Sequence, residues 1–108
     1  MSTNTFNQKI YNLLKKVPKG KVTTYKLLAE KMRTKAYRAV GQAMRCNPYA
    51  PEVPCHRVVK SDGSIGGFMG KISKNSKEVK KKIKMLEMEG VEVKNNKVDL
   101  REFLFIQK

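Results

Sequence analysis

The sequence contains no tryptophan, a single histidine (His56), two cysteines (Cys46 and Cys55), and 9 Asp and Glu against 24 Lys and Arg. Each shortage excludes something. Two cysteines allow at most one disulfide. The opening residues Met1-Ser2-Thr3-Asn4-Thr5-Phe6 lack the basic-then-apolar order of an export signal, so free thiols are expected. A structural zinc site takes four Cys, His or carboxylate ligands at regular spacing. Two cysteines and one histidine, with Cys55 and His56 adjacent, do not supply it, and neither a metal nor another cofactor is expected. No apolar run approaches the ~18 residues of a membrane span. The expectation is a soluble, intracellular protein with no membrane role.

What remains is a small, strongly basic globular chain. The 108 residues carry a net charge of +15, and 40% of them are hydrophobic. That hydrophobic share belongs to a folded domain rather than a disordered tail. A chain of this length hides only about 60–65% of its unfolded surface, so a single domain spanning residues 1–108 is expected. The positive field attracts phosphate backbones or anionic membrane surfaces. A lysine-rich bias with no partner is the third reading of the same charge.

Periodicity divides the chain into short elements. Phe6, Ile10, Leu13 and Leu14 fall at i, i+4, i+7 and i+8, an apolar stripe on a helix over residues 5–17 that Pro18-Lys19-Gly20 stops. Thr24 is positioned as the N-cap of a second helix burying Leu27, Leu28 and Met32. A third helix is expected over residues 36–45, with small residues Ala39, Gly41 and Ala43 that allow close approach to another surface. Two short helices joined by a few residues in a basic protein read as a helix-turn-helix. Residues 46–54 hold Pro48, Pro51 and Pro54 and form a stiff loop delivering Cys55. Arg57 to Lys60, a turn at Ser61-Asp62-Gly63-Ser64, and Ile65 read as a small hairpin. Gly66-Gly67-Phe68-Met69-Gly70 needs unusual backbone angles. A fourth helix begins near Asn75 with Glu78 closing a capping box. It buries Val79, Ile83 and Leu86 and stops at Gly90. The lysines of residues 71–84 read as a solvated face. A second hairpin turns at Asn95-Asn96. The fold class expected is mainly α, a winged-helix-like three-helix bundle with small β-hairpins.

The chemistry concentrates in Pro54-Cys55-His56-Arg57. A cysteine reacts as its thiolate, which nearby cations or a base favour, and His56 is a base at neutral pH. Neighbouring residues of an extended chain point to opposite sides. The pair therefore cooperates only at a bend or through a water, with a third group orienting the imidazole.

The run Arg38-Ala39-Val40-Gly41-Gln42-Ala43-Met44-Arg45-Cys46-Asn47-Pro48, followed by Val53-Pro54-Cys55-His56-Arg57-Val58-Val59, closely resembles the active-site region of O6-alkylguanine-DNA alkyltransferases. More loosely, the resemblance extends from Val22 to Gly90. It implies direct, single-turnover transfer of an alkyl group from O6-alkylguanine in double-stranded DNA to Cys55, by a monomer acting in the cytoplasm at the nucleoid, or in a nucleus. His56 then matches the base acting on the thiol through a water, and Glu89 the acid that orients it. Asn47 matches a hinge residue of the loop. Tyr25 matches a tyrosine that helps rotate the nucleotide and protonates the departing guanine. Arg38 matches a finger that fills the gap in the base stack, and Ala39, Gly41 and Arg45 share its DNA-facing helix. Val58 and Met69 match positions whose backbone holds the flipped base, and Phe68 matches a pocket wall. The resemblance also implies that the N-terminal domain common in the family is absent. Two rivals stand beside this reading. One is an alkyltransferase-like protein that senses lesions without transfer, although such relatives usually replace the cysteine. The other is a basic winged-helix protein without lesion chemistry.

Overall fold

The stripe of Phe6, Ile10 and Leu14 does form a helix, and Tyr11 extends its buried face. In the computed structural model, which describes residues 6–45, 52–67 and 76–105, α1 spans Phe6–Leu14. It ends three residues before the expected boundary. Lys16 and Val17 donate to the carbonyls of Leu13 and Leu14, tightening the chain into i→i+3 bonds before Pro18. Strand β1 (Thr23–Thr24) leads straight into α2 (Tyr25–Lys31), and the Thr24 hydroxyl caps that helix by accepting from the Leu27 N–H at 3.0 Å. Helix α3 (Tyr37–Arg45) follows a turn in which Arg33 adopts a φ of 55°. The Thr34 hydroxyl accepts from the Ala36 N–H at the entry to α3. Helices α1, α2 and α3 pack on one another around Ile10, Leu14, Leu28, Ala29, Val40 and Ala43. The Tyr11 hydroxyl donates to the Ala43 carbonyl at 2.9 Å and ties α1 to α3. This is the expected three-helix arrangement, with α2 and α3 as its helix-turn-helix.

The segment after Pro54 departs from expectation. Residues Cys55–Arg57 form a 3-10 turn, and β2 (Val58–Val59) follows at once. Strand β2 does not pair back on Ile65 as a hairpin. It pairs in parallel with β1, Thr23 against Val58 and Thr24 against Val59. The turn itself closes, with Lys60 N–H donating to the Ser64 carbonyl and Gly63 N–H to the Lys60 carbonyl. Ser64 and Ile65, however, bond to the C-terminal hairpin, through a bridge from Ser64 to Lys97 and from the Ile65 N–H to the Asn96 carbonyl. Gly63 carries this crossing. Its φ is +89°, and a Cβ there would stand 2.4 Å from the Val98 carbonyl oxygen.

Helix α4 spans Lys77–Met88, with Ser76 rather than Asn75 as its N-cap; the Ser76 hydroxyl accepts from the Val79 N–H at 3.1 Å. Glu78 therefore stands one position too early to close a capping box, though its charge still favours the helix N-terminus. The helix ends as expected at Gly90, whose φ is +88°. The Gly90 N–H bonds to the Glu87 carbonyl and the Val91 N–H to the Leu86 carbonyl. Strands β3 (Val93–Lys94) and β4 (Lys97–Val98) form the second expected hairpin, with Asn95 and Asn96 both at positive φ. A last short helix, α5 (Leu100–Phe103), not foreseen from sequence, brings Leu104 beside Val22. A second core of Val22, Val59, Ile65, Val79, Leu86, Val91 and Val98 fills this half. Among the described residues, no helix is long and apolar enough to cross a membrane.

Candidate active site

Two residue pairs of parallel strand set the geometry. Because β1 runs directly into α2 and β2 directly out of the 3-10 turn, the Thr23–Val58 register fixes Tyr25, at the start of α2, relative to Cys55. The turn supplies the bend that cooperation between Cys55 and His56 requires. Both side chains are buried, Cys55 at 8% exposure and His56 at 2%, and Cys55 is a free thiol.

Glu89 caps the C-terminus of α4, where a carboxylate opposes the helix dipole. Two partners offset that cost. His56 Nε2 lies 3.0 Å from Glu89 Oε2. Arg57 grips the same carboxylate with a fork, Nε to Oε1 at 2.9 Å and Nη2 to Oε2 at 2.8 Å. The other guanidinium nitrogen, Nη1, donates to the Val17 carbonyl at 2.8 Å, so Arg57 also ties the site to the turn that follows α1. A carboxylate only accepts, so His56 Nε2 carries the hydrogen, and in the neutral ring Nδ1 is left as the basic nitrogen. Burial pushes the His56 imidazolium below the ordinary histidine range, more than the Glu89 charge raises it. Burial acts to raise the Glu89 carboxyl, but the hydrogen bonds from Arg57 and His56 hold it below the usual range. At neutral pH the pair is a neutral imidazole on a carboxylate anion.

Tyr25 has its phenol pushed up to about 12 by burial and by the charge of Cys55. It keeps its proton at neutral pH. Its ring edge packs beside Gly66, which has a φ of +72° and would place a Cβ 3.7 Å from Tyr25 Cε2. The expected unusual backbone angles thus begin at Gly66. Val58 follows the 3-10 turn, with its N–H committed to the Cys55 carbonyl, so a base held by Val58 would have to use its carbonyl. Asn47, Phe68 and Met69 lie outside the described residues.

Two residues of the site escaped the sequence reading. Arg57 reads from the sequence as a neighbouring cation that favours the Cys55 thiolate; in the structure its guanidinium is the main partner of Glu89. Lys82 was placed on a solvated face, and the structure corrects this: its side chain is fully buried. Its ammonium donates to the carbonyls of Ile65 and Gly67, and it lies within electrostatic reach of Cys55 and His56. Burial lowers Lys82 to about 7. A signal was present in the spacing. Lys82 falls at i+3 from Val79 and i−4 from Leu86, inside the apolar stripe of α4. Its neighbours Lys77, Lys80, Lys81 and Lys84 are exposed as expected.

Arg38, Ala39, Gly41 and Arg45 are placed together on α3, whose buried residues Val40, Ala43 and Met44 share a core cluster with Cys55. Arg38 and Arg45 are exposed, and Ala39 and Gly41 are half-buried. Among the described residues, no cluster of three or more His, Cys, Asp or Glu is arranged to hold a metal ion.

Comparison with known proteins places this geometry. The family model described as "6-O-methylguanine DNA methyltransferase, DNA binding domain" matches residues 5–91. A methylated-DNA–protein-cysteine methyltransferase of Metallosphaera sedula is 42% identical over 94 residues, covering 87% of this chain and 54% of that protein. The corresponding protein of Sulfolobus acidocaldarius is 39% identical over 90 residues, 83% of this chain and 52% of that protein. This chain therefore spans about half the length of these curated relatives. Among solved structures, the O6-methylguanine-DNA methyltransferase of Pyrococcus kodakaraensis aligns with a TM-score of 0.66 and 46% identity, covering 80% of this chain and 46% of that one. S. pombe Atl1, solved in complex with damaged DNA containing O6-carboxymethylguanine, aligns with a TM-score of 0.78 and 31% identity, covering 99% of this chain and 100% of that one. With most of its length matched by the family model and by these relatives, the chain belongs to the 6-O-methylguanine DNA methyltransferase family, through that family's DNA-binding domain.

Proposed function

We propose that the chain repairs DNA by moving an alkyl group from O6-alkylguanine in a duplex onto Cys55, once per molecule. The observation that carries this reading is the buried free thiol of Cys55 on a bend beside a histidine whose basic nitrogen is freed by Glu89. His56 takes the thiol proton through a water. The sulfur attacks the alkyl carbon, a C–S bond forms, and the C–O6 bond breaks with its electron pair leaving on the guanine. Tyr25, protonated at neutral pH, gives its proton to that guanine and is reprotonated from solvent. The product is a thioether, and nothing in the chain returns the thiolate. The alkylated oxygen lies within the duplex, so the nucleotide must first be turned out, at a cost of a few kcal/mol. Arg38 on α3 offsets part of that cost by filling the gap. Val58, Phe68 and Met69 receive the base, Asn47 steadies the loop to Cys55, and Ala39, Gly41 and Arg45 complete the duplex-facing helix. The setting we infer is a monomer acting on cellular DNA, without a cofactor.

A second reading is lesion recognition without transfer. The observation favouring it is the alignment with Atl1 along that chain's whole length. One experiment separates the two. The protein is incubated with a duplex containing O6-methylguanine, and the tryptic peptide spanning Cys46 and Cys55 is weighed and fragmented. A methyl group on Cys55, lost in Cys55→Ala while duplex binding persists, is the expected result. An unmodified peptide with tight, lesion-selective binding makes the chain a sensor. An unmodified peptide with equal affinity for damaged and plain duplex removes both readings.

A further inference from the structure

Two large apolar side chains stand out of the described surface, Met88 at 74% exposure and Tyr37 at 48%. Met88 has no company that identifies a partner. Tyr37 does. On α3, residues 37, 38, 41, 42 and 45 recur at i, i+1, i+4, i+5 and i+8 and form one outward stripe, exposed except at half-buried Gly41. That stripe holds an aromatic ring, two arginines and a glutamine, and no acid. At Gly41 a Cβ would meet nothing within 4 Å, so the backbone there is open to close approach. Tyr37 packs in neither core cluster. A ring left half in water amid positive charge suits a partner that is anionic outside and flat and apolar within, which describes stacked bases between phosphate strands.

We propose that Tyr37 is a second stacking side chain of the duplex interface, lying against a base or sugar beside the gap that Arg38 fills. Successive helical residues are about 100° apart around the axis, so the phenol and the guanidinium spread to either side of the contact rather than compete for one gap. The proposal rests on the duplex-repair reading and goes beyond it by giving the interface an uncharged, aromatic anchor.

The test uses the full chain, Tyr37→Ala and Tyr37→Phe, with a duplex carrying O6-methylguanine beside 2-aminopurine. Tyr37→Ala is expected to weaken lesion-duplex binding by roughly ten- to hundredfold and to change the 2-aminopurine fluorescence of the complex. The salt slope of binding stays unchanged, since no charge is removed. Tyr37→Phe retains wild-type binding within about twofold, because the ring rather than the hydroxyl makes the contact. Reaction of Cys55 with free O6-benzylguanine is unaffected in both variants, which separates a lost contact from a damaged fold. The proposal is overturned if Tyr37→Ala binds like wild type, if Tyr37→Phe loses as much as Tyr37→Ala, or if the free-base reaction falls in step. It is also overturned if Tyr37→Ala loses binding to anionic lipid vesicles but not to the duplex. A wild-type chain that ignores the duplex overturns the parent reading as well, whereas wild-type binding with an indifferent Tyr37→Ala overturns this proposal alone.

Discussion

Glu89 holds the site together because one carboxylate serves two donors, a guanidinium cation and a neutral imidazole, with different duties. Arg57 keeps it anionic and anchored, and His56 is oriented by it. Glu89→Gln preserves the shape and removes the charge, leaving the guanidinium without its anion in a mostly enclosed place. Urea unfolding is expected to show a loss of about 1–3 kcal/mol, and methyl transfer to Cys55 is expected to slow by up to about 100-fold; a variant with unchanged transfer would remove Glu89 from the mechanism. Lys82 sets a different pH dependence. Its folded value is about 7 against an ordinary 10.5. Between those values the unfolded chain holds the extra proton, so stability rises with pH. The contribution is fully present above about 10.5 and is lost as pH falls through about 7. Across that window the wild type is expected to gain on the order of a few kcal/mol relative to Lys82→Met in denaturation curves. Parallel curves for the two proteins would show that Lys82 is not buried as described.

The elements that could be read from sequence are those whose cause is local. Thr24 caps α2 and Gly90 ends α4 because capping needs only the residue and its next few neighbours. Asn95 and Asn96 turn the second hairpin for the same reason. What escaped was set at a distance. Strand β2 pairs with Thr23–Thr24, far back in the chain, rather than with the nearby Ile65, because Ile65 has a better partner at Asn96. Lys82 is buried because two carbonyls from another segment accept its protons. The identity of Glu89 as the third member came from resemblance, not from spacing; the residues alone asked only for some carboxylate. Two substitutions test the element-level account. Thr24→Ala should lower stability by about 1 kcal/mol through the lost cap. Gly63→Ala should cost more, about 2 kcal/mol or above, since it adds a clash with the Val98 carbonyl to an unfavourable φ. Thermal unfolding that ranks the two the other way would mean that the Gly63 crossing is not what joins Ser64 and Ile65 to the C-terminal hairpin.

At the scale of the molecule, the surplus of positive charge, +15 in total, has to be divided between a field and a set of contacts. A field raises the encounter rate with any polyanion and is screened by salt over about 10 Å at 0.1 M. Contacts release counterions, so that log affinity falls with log salt by about 0.9 for each phosphate neutralised. The proposed interface assigns contacts to α3, where Arg38 and Arg45 are exposed beside small residues that let the backbone come close. The exposed Lys77, Lys80, Lys81 and Lys84 on α4 then belong chiefly to the field. Arg45→Ala is expected to weaken binding to all duplexes alike and to reduce the salt slope by about 1. Replacing the four α4 lysines with glutamine is expected to slow association at low salt and leave the slope nearly intact. Stopped-flow association rates and equilibrium titrations between low and physiological salt measure the two quantities separately. A slope that drops by several with the α4 variant would move the duplex onto α4 and place α3 outside the interface.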